Sequence, residues 1–201
     1  MNKFLITAFF TLCIGSSSYS QFAFKPTLLI PSGTLGSVIK TNAALEILDI
    51  DEFDGHWRLR YGGYAGLLTA RKDTFPTYLI IEDNQGTHIL PGYIVIHPSL
   101  MLYGTGGFDF TIKESPKITP YIGCSILFGG MILNYDEYYS GAYSESEFLG
   151  GGMLIGMGFR LGAQKEISKS RILFTEFSSS GYLITETGIY SHYDFGVGLI
   201  F

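Results

Sequence analysis

Charge is scarce in this chain. Of 201 residues, 13 are Lys or Arg and 18 are Asp or Glu, so 15% are charged, against roughly 25% in an average soluble domain. A net charge of −5 with so few cations excludes a nucleic-acid grip, which needs clustered Lys and Arg. Cysteine is nearly absent: Cys13 and Cys124 cannot make a disulfide framework. Proline stands at 7 and glycine at 26, a balance that argues against collagen, a disordered tail and a Pro-rich linker. Long hydrophobic runs are missing as well. After Gln21 no stretch approaches the roughly 18 apolar residues of a membrane-spanning helix. The nearest, Tyr121 to Leu133, follows Pro120 and contains Gly123, Gly129 and Gly130. Gly152 and Gly156 have small-xxx-small spacing, but Glu147 and Arg160 bound that stretch too tightly for a span.

Catalytic and metal motifs are lacking too. His56, His88, His97 and His192 show no ligand-like pairing, and Cys124 has no CxxC partner. There is no GxSxG, no P-loop and no GxGxxG between a strand and a helix. The segment DIDEFDG (49–55) places Asp49, Asp51 and Asp54 near Gly55 as in a calcium loop. Phe53 stands where a further oxygen ligand is needed and the distal Glu is absent, so it reads as a solvated acidic loop. No catalytic residue, metal ligand or cofactor is assigned.

What is present begins with a secretory signal. Lys3 precedes the apolar run Phe4 to Gly15, and Ser18-Tyr19-Ser20 gives a small-x-small end before Gln21. The run is too short to span a bilayer, so cleavage between Ser20 and Gln21 is expected. Residues 1–20 are read as signal peptide and 21–201 as one domain. Leu12 before Cys13 does not fit a lipid-attachment site.

Period-two alternation then recurs in segments closed by polar, Gly or Pro punctuation. From His56 to Ala70, Trp57, Leu59, Tyr61, Ala65 and Leu67 share one face; His56, Arg58, Arg60, Gly62 and Tyr64 share the other. Leu35, Ile39, Ala43, Leu45 and Ile47 alternate with Val38, Lys40, Asn42 and Glu46. Even positions carry Leu100, Leu102, Phe108, Phe110 and Ile112, and odd ones Met153, Ile155, Met157, Phe159 and Leu161. A soluble sandwich also alternates. Glycine decides between them: Gly150, Gly152, Gly156, Gly158, Gly196 and Gly198 lie opposite the apolar face. The crowded interior of a small closed barrel takes such residues beside a few paired charges. Lys40, Glu46, Arg58, Arg60 and Arg160 are the candidate lumen charges, the alternative being the wet face of an ordinary sheet.

The last segment, SHYDFGVGLIF (191–201), sets Tyr193, Phe195, Val197, Leu199 and Phe201 at alternate positions and ends the chain on an aromatic residue. It resembles the C-terminal strand of bacterial outer-membrane β-barrels, which implies that these five residues are the signal read by the assembly machinery. TPYIGCSILFGG (119–130), LGGGMLIGMGFRLG (149–162) and RILFTEFSSSGY (171–182) are similar to the last strands of small barrels of the Bacteroidetes type, the outer membrane protein beta-barrel domain family. The match covers about the last 100 residues. Two features depart from the pattern: Glu176 shares a face with Phe174, and both faces of Tyr121 to Gly130 are partly apolar.

The expected fold is therefore all-β, a closed antiparallel up-and-down transmembrane barrel. Eight strands are favoured, because that size fills with side chains; Phe22 to Ile30 and the 77–97 region would bring the count to ten. Long connections are expected at Asn134 to Glu147 and Ser178 to Ser191, short ones at Lys113 to Ile118 and Ala163 to Ser170. Tyr135, Tyr138, Tyr139 and Tyr143, interleaved with acids, are candidate loop contacts or girdle residues.

The expected role is non-enzymatic, architectural or surface-interacting, in the cell outer membrane after export through the inner membrane. The chain is expected to be monomeric, with outer-membrane lipid and the assembly machinery as partners, no nucleic acid and an unknown external ligand. Three alternatives stand beside it: a narrow passive pore, a periplasmic lipocalin-like barrel, and a lipid-A-type acyl hydrolase. The hydrolase would draw on Glu176, Ser178, Ser180, Ser191, His192 and Asp194.

Overall fold

The computed structural model describes residues 21–52, 55–83, 86–112, 118–140, 143–149, 152–184 and 188–201. In chain order the elements are β1 (Gln21–Ser32), α1 (Gly33–Val38), β2 (Asn42–Glu52), β3 (Trp57–Leu68), β4 (Phe75–Asp83), β5 (Gly86–Ile96), β6 (Ser99–Thr111), β7 (Thr119–Tyr139), β8 (Tyr143–Leu149), β9 (Met153–Ser168), β10 (Arg171–Ile184) and β11 (Gly188–Ile200). Eight strands close a wall in the order β1-β2-β3-β6-β7-β9-β10-β11 and back to β1. Every pairing is antiparallel, and the first and last strands make the seam, with Ala23 opposite Ile200 and Ile30 opposite Tyr193. Closure leaves the wall without an unpaired edge, the condition for placing strands where water cannot satisfy backbone groups.

The strand count of eight holds, but its membership differs from the expectation. β1 is a wall strand, whereas β4 and β5 form a hairpin outside the wall. β7 explains how. Its first part pairs with β6 up to Ile132 and with β9 up to Gly130, and it then runs on, with 135–139 paired to β5 and 133–139 to β8. A four-stranded flap, β4-β5-β7-β8, thus rises from one side of the upper rim. The rim carrying the chain ends Gln21 and Ile200 is called lower here.

Other expectations are corrected. Leu35 to Val38 belong to helix α1, not to a strand, because Ser32 ends β1 and Gly33 turns the chain at φ +57°. The 163–170 connection shrinks to a turn at Lys169 and Ser170. Ser178 to Ile184 and Gly188 to Ser191 continue their strands, and Asn134 to Tyr139 continue β7, since cross-strand backbone bonds outweigh their polar composition. Ser20, Asp54, the Lys113 to Lys117 part of the lower turn and Gly150 lie outside the described residues.

Inside the wall two apolar clusters bracket a polar layer. The lower one joins Ala23, Leu48, Ile50, Tyr121, Phe174 and Ile200. The upper one includes Leu29, Leu68, Met101 and Leu154, and α1 enters it as a plug through Leu35, with Ile39 beside it. Burying each of those two side chains stabilises the plug by about 1.5–3 kcal/mol.

Candidate functional site

The wall is inverted relative to a soluble barrel. Along β7, Ile122, Ile126 and Phe128 face outward and are exposed, with Ile126 at 64%, while Tyr121, Ser125 and Leu127 are buried. Along β9, Phe159 at 62% alternates with buried Arg160. β1, β3, β6, β10 and β11 repeat the pattern with Phe24, Leu67, Leu102, Phe177 and Phe195 outward. The result is a continuous apolar belt, the surface that water disfavours and hydrocarbon accepts.

The polar layer holds four buried cations, Lys25, Arg58, Arg60 and Arg160, and four buried carboxylates, Glu46, Asp109, Glu176 and Asp194. Among the described residues these charges cancel, which is how ionised groups tolerate a dry interior. Arg60 on β3 reaches Glu176 on β10 through both terminal nitrogens, one of them at 3.1 Å. It also lies 3.4 Å from Glu46 and 3.7 Å from Asp109. Lys25 pairs with both Glu46 and Glu176, and Tyr121 Oη donates to Glu176 at 2.8 Å. Arg160 binds Asp109, and Arg58 donates to the Gln164 amide oxygen. Above this network Tyr64 Oη donates to Asp194 at 2.9 Å, whose other oxygen is 2.9 Å from His192 Nε2.

Glycine makes room for these side chains. A Cβ on Gly123 would stand 2.0 Å from Asp109 Oδ1, and one on Gly162 would stand 2.2 Å from the Tyr121 ring. The glycine-rich lumen face is thus the complement of the large residues it accommodates.

A polar cavity of about 20 Å³ lies beside Lys25, Arg160, Glu176 and Asp194, room for about one water. A lumen filled by side chains in this way gives the passive-pore alternative no support. The lipocalin-like alternative fails on the reversed sidedness, because such a barrel hides its apolar face around a ligand.

The structure turns Glu46, Arg58, Arg60 and Arg160 into the lumen and leaves Lys40 out of it. Lys40 is exposed at the upper rim because β2 begins only at Asn42, after the α1 plug has broken the alternation. Lys25 and Asp109 join the network without having been singled out. The signal was there: each is a lone charge amid alternating apolar residues, as in FAFKPTLL (22–29) and FDF (108–110). Glu176 and Phe174 do share the inner face, where Arg60 lies 5.9 Å from the Phe174 ring.

Tyr193, Phe195 and Val197 face outward on β11, with Leu199 half-buried and Phe201 exposed beyond the strand. Tyr135, Tyr138 and Tyr139 lie on the β7 extension, and Tyr143 begins β8. Tyr138 stacks on Tyr93 at 4.9 Å, and repulsion from the Asp136 carboxylate holds its phenol above the ordinary range. His192 and Asp194 point inward, away from the apolar outer wall, and Ser178 lies 3.5 Å from Asp194.

No protein-family model and no curated protein sequence matches the chain. Solved structures do. The crystal structure of Neisserial surface protein A is similar at TM-score 0.55 and 11% identity, over 91% of this chain and 96% of that one. Ail, the attachment invasion locus protein of Yersinia pestis, solved with the heparin analogue sucrose octasulfate, gives 0.46 and 12%, over 90% and 97%. The N-terminal β-barrel domain of Pseudomonas aeruginosa OprF gives 0.41 and 10%, over 92% and 100%. At such identity the likeness to the Neisserial protein speaks for the fold alone: a closed antiparallel eight-stranded barrel of the outer-membrane kind.

Proposed function

We propose that this chain is an integral outer-membrane β-barrel with an architectural and surface-contact role, and that it is not an enzyme. One observation carries the reading: an unbroken apolar belt outside and a charge-balanced network inside, in a wall with no free edge. That arrangement is stable in hydrocarbon and unfavourable in water. The lower rim, with the chain ends and the short turns, faces the periplasm; the plug and flap face outward. The resemblance of the last strands supports membership of the Bacteroidetes-type outer-membrane barrel family, and the belt supports a monomer surrounded by lipid. On this reading residues 1–20 direct export through the inner membrane and are then removed, and the assembly machinery reads Tyr193, Phe195, Val197, Leu199 and Phe201.

Cell fractionation tests the proposal. The protein is expected in the outer-membrane fraction, extracted only by detergent, and to migrate faster in an unheated gel lane than in a boiled one. A soluble monomer recovered without detergent would sink it.

A further inference from the structure

We infer that the corner of the upper rim between α1 and the end of β3 docks the phosphate of a membrane lipid, an inference that rests on the bilayer reading above. The cations of this acidic chain are not scattered. Of those described, four fill the lumen, and Lys165, Lys169 and Arg171 lie at the lower β9–β10 turn. The remaining three, Lys40, Arg71 and Lys72, are all exposed at this single corner.

The backbone sets their direction. Ile39 and Ala70 form an antiparallel bridge, flanked by bonds from Lys40 N to Thr69 O at 3.0 Å and from Arg71 N to Val38 O at 2.7 Å. Opposed residues in such a ladder share a face and successive ones alternate. Ile39 is turned into the lumen at 1% exposure, so Lys40 and Arg71 stand on the outer face. Arg71 Nε donates to Ile39 O at 3.1 Å, which pins the guanidinium at the corner while the side chain stays exposed.

Directly below, the outer face of β3 is apolar. Ala65 and Leu67 are exposed, and the same face continues upward through Thr69 to Arg71. Hydrocarbon belt and cation thus follow one another within a few residues, the order of acyl chain and phosphate in a lipid. Arg offers a planar fork and Lys a point charge to such a group. Asp73 offsets one of the three charges, and the flap beside it carries Glu82, Asp136 and Glu137, so this corner is the positive point of an acidic rim. The belt commits the site to a lipid rather than to a free anion.

The test uses the full barrel in nanodiscs of dimyristoylphosphatidylcholine with a minor fraction of dimyristoylphosphatidic acid, released into native mass spectrometry to count retained lipid. The wild type is expected to retain phosphatidic acid over phosphatidylcholine. Combining Lys40→Ala, Arg71→Ala and Lys72→Ala should weaken retention by about fivefold per cation removed. Loss of retention in Lys165→Ala with Arg171→Ala, and not in the triple variant, would place the lipid at the lower turn and overturn the inference. Equal retention by the triple variant overturns the inference, as does equal retention of both lipids by the wild type. Displacement by inorganic phosphate, beyond that by chloride of matched ionic strength, would mark a free-phosphate site and also overturn it. Each protein is checked for the heat-modifiable band; its absence in the wild type would count against the bilayer reading instead.

Discussion

Arg60 and Glu176 join opposite walls of the barrel: β3 and β10 lie four places apart in a ring of eight strands, and the pair spans its diameter. Glu176 also takes Lys25 and the Tyr121 hydroxyl, so removing its charge leaves two buried cations short of a partner. Glu176→Gln should destabilise the barrel by about 3–5 kcal/mol, read as the urea midpoint of unfolding from vesicles. Arg60→Met combined with Glu176→Leu keeps the charges balanced and should lose less than either single change. Equal stability of Glu176→Gln and wild type would mean that the network does not hold the two walls together.

Packing against glycine gives a second prediction. A Cβ at Gly198 would meet Phe174 Cζ at 2.2 Å, whereas one at Gly181 meets nothing within 4 Å. Gly198→Ala should cost about 1–3 kcal/mol, and Gly181→Ala should fall within about 0.5 kcal/mol of wild type, both by the same unfolding measurement.

The plug and the polar layer fill the lumen with separate sets of side chains. Replacing 33–40 by a short Gly-Ser linker removes Leu35 and Ile39 from the upper cluster but leaves the Arg60 network in place. Planar-bilayer recordings of that variant should show no steady conductance. A stable open level would mean that the polar layer admits ions.

Cys124 reports the outer wall directly, since its side chain is exposed on β7 between outward Ile122 and Ile126. A nitroxide attached there in vesicles should relax with dissolved oxygen and not with a water-soluble nickel chelate. The opposite preference would place this face in water.

The flap hangs on a joint at His97. Its amide donates to Asn134 O at 2.8 Å, its ring lies 2.8 Å from Asp136, and Ser99 Oγ bridges the His97 carbonyl and the Asn134 amide. The His97–Asp136 contact is partly exposed, so its loss should cost no more than about 1 kcal/mol. Hydrogen exchange of Asp136→Asn should speed up across β4 and β5 and stay unchanged in β1 and β11.

Much of this was legible in the residues themselves. Alternation on β3 separated Trp57, Ala65 and Leu67 from Arg58, Arg60 and Tyr64, because side chains on a strand take opposite faces whatever the neighbours are. The glycines opposite the apolar face announced a crowded interior, and Gly158, Gly196 and Gly198 are buried there. Lys40 lies outside the lumen because α1 interrupts the alternation, and a six-residue helix offers no period of its own to read.

The sequence by itself determined the sidedness of strands such as β3, β6, β9 and β11 and the kind of fold, since both follow from local periodicity and composition. Only the tertiary structure decided which strands enter the ring, that β1 closes on β11 while β4 and β5 stand clear, and which charges meet. Those choices depend on pairing between segments far apart in the chain, as Arg60 and Glu176 are. The physical reason is that a buried charge accepts any partner of opposite sign that geometry delivers, and strand order, not spacing along the chain, delivers it.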